Sequence, residues 1–138
     1  AYLAVKDSPA FDEPVDAMIY AITAALGFAV VENVLILSGM PVNAAAIGTT
    51  SLRFIGATLL HTLASGIVGY HWALGILKKT VLKSVVLGII YAALLHAVFN
   101  YLIIRFEVES LIYPSLLLII AAFFILHDFE KLKEYNKK

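Results

Sequence analysis

Cysteine is missing from all 138 residues, so the chain has no disulfide framework, no thiolate metal site and no cysteine nucleophile. Charge is scarce too. Asp, Glu, Lys and Arg make up 14% of the residues, against roughly a quarter in soluble domains. The formal net charge is zero, and no nucleic-acid partner is expected from it. The first residues do not read as a signal peptide, and there is no internal repeat or low-complexity segment.

Hydrophobic residues are what the chain has in abundance, at 62%, with a mean hydropathy of +0.92. About 20 mostly apolar residues are needed to span a bilayer as a helix. Four stretches, 15–37, 52–77, 81–104 and 111–126, meet or approach that length. Between them lie "SGMPVN", "LKKT" and "RFEVES", and Pro114 falls near the start of the fourth, where proline costs a helix least. The expected fold is all-α: a polytopic four-transmembrane-helix bundle, forming one membrane-embedded domain over residues 1–138. A soluble all-helical bundle is the alternative, and four such runs leave it little room.

Basic residues favour the cytoplasmic loops next to span ends. If four spans alternate, Lys6, Lys78, Lys79, Lys83, Lys131, Lys133, Lys137 and Lys138 fall on one side, and only Arg53 and Arg105 on the other. A multi-pass protein of the cell membrane with both termini cytoplasmic is therefore expected. Its 38–52 and 105–110 connections would lie outside.

Several polar residues interrupt the apolar runs. His61 lies eight residues in from Arg53, and His96 nine residues in from Arg105. At the helical rise both are roughly 12–14 Å below the outer surface, and Glu32 is roughly 5–10 Å deep. They stand on or beside rows of small residues: Ala17, Ala21, Ala25, Ala29 and Asn33; His61, Ser65, Gly69 and Ala73; Gly88, Ala92, His96 and Asn100. Such rows let membrane helices approach closely, so these polar groups are expected to face the bundle interior. A lone histidine or asparagine can simply bridge two helices. A carboxylate at that depth must be paired, protonated or bound to a cation, and intramembrane ionisable groups mostly mark function.

Glu32, His61, His96 and Asn100 are thus the candidate catalytic set. Two imidazoles and a carboxylate, from His61, His96 and Glu32, are a familiar ligand set for zinc, which activates water. Alternatively, the glutamate acts directly as general base while histidine and asparagine donate to an oxyanion. Other polar residues have plainer readings. His71 and Trp72 read as interface anchors, and His127 and Asp128 as the solvated end of the fourth span. Asp12, Glu13 and Asp16 surround Pro14 at a helix start, where acidic groups complement the dipole.

"FDEPVDAMIY", "GFAVVEN", "LLHTLASGIVGY" and "LLHAVFNYLI", in that order, resemble the PrsW family of intramembrane proteases, a branch of the superfamily that includes the CAAX prenyl proteases. The likeness covers about residues 2–104. It implies an all-helical membrane hydrolase cutting a membrane-anchored protein substrate, an anti-sigma factor in bacterial relatives, on the outer side of the bilayer. The family's F-x-x-x-E-N falls on Phe28, Glu32 and Asn33, its first histidine motif on His61, and its H-x-x-x-N on His96 and Asn100. Its leading E-E-x-x-K, whose paired glutamate is held to activate water, is absent from these residues. "AYLAVKDSPAFDEP" looks like the sequence just downstream of that motif. Either the chain is a piece of a larger bundle, short of the complete site, or the native protein lacks that motif. Two rival readings are an ion or proton transporter, which requires a continuous polar path, and a non-catalytic membrane scaffold.

Overall fold

The computed structural model describes residues 2–5, 8–39, 44–106 and 111–135, except for the side chains of 2, 3 and 44–53. It holds one single-turn helix, α1 (Tyr2–Val5), and four long ones: α2 (Pro14–Ser38), α3 (Ala44–Leu77), α4 (Val81–Phe106) and α5 (Ile112–Tyr135). Among the described residues there is no strand. An all-α membrane bundle is what the composition called for.

The helix ends follow from local chemistry. Pro14 occupies the first helical position of α2, where its missing N–H costs nothing. Asp16 Oδ2 accepts hydrogen bonds from the backbone N–H groups of Glu13 (2.8 Å) and Asp12 (3.2 Å). The acidic cluster at this helix start is therefore a cap. At the end of α3, Lys79 takes a left-handed conformation with φ of 56°. Thr80 N–H then reaches back to Gly75 O at 2.8 Å and Lys79 N–H to Ile76 O at 3.2 Å. This is the paired closure of a Schellman motif, and it turns the chain sharply into α4.

Two boundaries differ from expectation. α3 begins at Ala44, eight residues before the expected 52, because "AAAIGTTS" is rich in alanine, the strongest helix former. α5 runs nine residues past 126, since "HDFEKLKEY" consists largely of good helix formers and Leu132 is fully buried. Glu130 and Lys133, one turn apart there, pair at 3.1 Å. Residues 107–110 of the third connection and the side chain of Arg53 lie outside the described residues.

α3 packs along α2 and α4 and, less extensively, against α5. Small residues set the spacing. A Cβ on Gly69 would lie 2.6 Å from the Cα of Met18, and one on Gly88 2.8 Å from the Cβ of His71. Below Asn33 on the same face of α2, Ala17, Ala25 and Ala29 are buried. Helices this close gain dispersion contacts that lipid tails cannot supply. The core gathers Met18, Leu60, Leu63, Trp72, Leu118 and Ile125. Trp72 thus departs from its expected place in an interfacial belt. It is 4% exposed and stacks on Phe11, ring centroids 5.2 Å apart, because the segment before α2 folds back over it.

The exterior is apolar. Leu82 and Ile104 are each 80% exposed, and Leu35, Phe123 and Ile119 stand out beside them. No water-soluble surface is built this way; hydrocarbon solvates it. α2, α4 and α5 are long and apolar enough to cross a membrane. α3 is not in that set among the described residues. It carries Thr58, His61, Thr62, Ser65 and His71; Asn33 and Glu32 of α2 bond the first two, and Thr62 and His71 bond carbonyls of α3 itself.

Candidate active site

Glu32 stands near the C-terminal end of α2 and His61 at the middle of α3. The two helices run antiparallel, so both residues fall in the same part of the bundle. His61 Nε2–H donates to Glu32 Oε2 at 2.7 Å. The side chains are 18% and 39% exposed, so the pair is half-sheltered and the carboxylate remains reachable. Phe28, one turn before Glu32, sets its ring edge-on to His61 with centroids 5.2 Å apart. The aromatic ring shields one side of the imidazole.

One step further across, His96 on α4 brings its ring to 5.5 Å from that of His61. Asn100, the next turn of α4, donates through Nδ2 to His96 Nδ1 at 3.2 Å. With Nδ1 accepting, the proton of the neutral ring resides on Nε2. His96 is then a hydrogen-bond donor at its other nitrogen. Three helices therefore bring Glu32, His61, His96 and Asn100 into one chain of contacts. His96 and Asn100 also line an open groove of about 540 Å³ with Ala64, Val68, Ala92 and Ala97. Glu32 and His61 are not part of that lining. Asn100 is exposed, where the small-residue row led us to expect the bundle interior. The reason is that only α3 and α4 form the groove, and neither covers it.

The residues expected to bind zinc do not stand as a ligand set. Among the described residues, no three His, Cys, Asp or Glu side chains are placed to hold a metal ion. The physical reason is visible at Glu32 and His61. Ligands about 2.0–2.1 Å from a tetrahedral zinc stand about 3.3 Å from one another. The 2.7 Å contact of this pair is a hydrogen bond and leaves no room for an ion between the two atoms. At His96, the nitrogen facing Asn100 is occupied by the 3.2 Å contact.

Thr58 is a neighbour of the site that the sequence reading does not single out. Asn33 is 5% exposed and donates through Nδ2 to Thr58 Oγ1 on α3 at 3.2 Å. Thr58 lies one helical turn before His61, which was the available signal. Threonine is too common on membrane helices for that spacing to have singled it out. Elsewhere on α3, His71 bonds through Nδ1 to Ile67 O at 2.9 Å and packs its ring near Tyr91 at 5.3 Å, apart from this constellation.

Residues 1–127 match the family model described as PrsW family intramembrane metalloprotease. Neither a curated protein nor a solved structure matches the chain. The match takes in all four residues of the constellation, and α2, α4 and α5 are long and apolar enough for a membrane-embedded fold. The chain belongs to the PrsW family of intramembrane metalloproteases.

Proposed function

We propose that the protein hydrolyses a peptide bond of a membrane-anchored substrate near the outer membrane face, with Glu32, His61, His96 and Asn100 as its working side chains. The observation that carries this reading is the 2.7 Å Glu32–His61 hydrogen bond, with the His96 ring 5.5 Å beyond it. Family membership supplies the reaction class. An anti-sigma factor is the substrate type the resemblance suggests, and both termini are placed in the cytoplasm by the lysine bias.

His61 holds one carboxylate oxygen of Glu32, leaving the other oxygen to accept a proton from water. That water attacks the scissile carbonyl carbon, and the carbonyl becomes a tetrahedral oxyanion. His96 Nε2–H and the second N–H of Asn100 donate to it. Glu32 then delivers its proton to the leaving nitrogen as the C–N bond breaks. The family's description implies a metal ion, but as Glu32, His61 and His96 stand they do not fit one, and no step here passes through it.

The test is product mapping. The native full-length protein is reconstituted in liposomes with a single-pass substrate. Mass spectrometry should place the cut in the half of the bilayer next to the 39–44 connection. A cut at the opposite face would overturn the proposed depth, and intact substrate would overturn the hydrolysis.

A further inference from the structure

We propose that Thr58 is a positioning residue for the Glu32–His61 pair. The inference rests on the peptidase reading above and assigns a role to a side chain that no motif includes. Asn33 and Glu32 are adjacent on α2, and Thr58 and His61 are one turn apart on α3. The two cross-helix hydrogen bonds, Asn33 to Thr58 at 3.2 Å and His61 to Glu32 at 2.7 Å, therefore form consecutive rungs between the same two helices.

The rungs differ in character. Asn33 is buried, so its amide has no free access to water and needs a partner across the interface. Glu32 is 39% exposed and tied to α3 by one bond. The Asn33 rung is enclosed between the helices and the Glu32 rung stands nearer their open edge, so the first sets the register that the second uses. Closer to the start of α2, Gly69 against Met18 fixes how near the helices come. Backbone packing of this kind limits distance but tolerates rotation and sliding of the helices. The Asn33–Thr58 bond is directional and removes that freedom one turn from the site. Thr62 Oγ1 also donates to the Thr58 carbonyl at 2.8 Å, within the same helix.

Thr58→Val keeps the shape and removes the acceptor; Thr58→Ser keeps the acceptor. In full-length protein, Thr58→Val should lower kcat by about 10- to 100-fold with little change in KM, the scale expected when a reacting group is displaced by about 1 Å. Thr58→Ser should restore most of the turnover. Register is read separately from activity. The chain has no cysteine, so a Glu32→Cys, His61→Cys pair can be bridged by a short bis-thiol reagent. Bridging should fall in Thr58→Val and recover in Thr58→Ser. Unchanged bridging, or unchanged kcat, in a folded Thr58→Val variant overturns the proposal. If bridging responds but wild-type protein cleaves no substrate, the peptidase reading has failed and the Asn33–Thr58 register control stands by itself.

Discussion

Gly69 sits against the backbone of Met18: a Cβ there would lie 2.6 Å from the Met18 Cα, 3.0 Å from Ala17 O and 3.1 Å from the Ala21 Cβ. Backbone cannot yield as a side-chain tip can. Gly69→Ala should force α2 and α3 apart and cost about 1–3 kcal/mol. Gly27 has nothing within 4 Å of its notional Cβ, so Gly27→Ala should be neutral or slightly stabilising. Reversible unfolding in mixed micelles compares the two. Equal stabilities would show that α2 and α3 do not meet at Gly69.

The turn between α3 and α4 offers a gain. Lys79 holds a φ of 56°, a conformation that glycine adopts without steric cost. Lys79→Gly should stabilise the protein by about 0.5–1 kcal/mol. Lys79→Val should destabilise it, since a β-branched side chain suits that backbone least. A rise in melting temperature for the glycine variant is the readout.

At the start of α2, Asp16 acts as a cap. Asp16→Ala strips the acceptor from two backbone N–H groups and should cost about 0.5–2 kcal/mol of stability. Turnover per folded molecule should be unchanged. A loss of kcat without loss of stability would return this residue to the site.

Asn100 is exposed and its amide spends one N–H on His96. Asn100→Ala should therefore barely alter stability, yet lower turnover by about 10²–10³, the usual cost of one oxyanion donor. Asn100→Asp is nearly isosteric but offers only acceptors when ionised. It would draw the His96 proton to Nδ1 and should be as damaging as alanine. Full activity in either folded variant removes Asn100 from the chemistry.

Much of the helix arrangement was legible because bilayer spans announce themselves by length and apolarity. Residues 81–104 were read as a span and the helix is Val81–Phe106. The small residues Ala17, Ala25, Ala29 and Gly88 were legible as contact faces, since only close packing rewards such a row in lipid. Trp72 was misplaced because an aromatic near a span end looks the same whether it meets headgroups or a folded-back Phe11. That contact depends on the path of the chain before α2. Regarding the site, common depth brought Glu32, His61 and His96 to notice, and the structure sets them side by side. Depth does not reveal which atoms touch. The direct Glu32–His61 bond, the Asn100–His96 contact and the Asn33–Thr58 rung depend on helix rotation, which residue spacing alone does not determine.

The most direct measurement is the cleavage rate of Glu32→Gln in native full-length protein, in liposomes with a membrane-anchored substrate. Glutamine keeps the size of the side chain and still accepts from His61, but it takes no proton from water. If Glu32 is the general base held by His61, turnover should fall by about 10²–10⁴-fold while the protein folds and inserts normally. Cleavage comparable to wild type would contradict the assignment of this pair as the reaction centre.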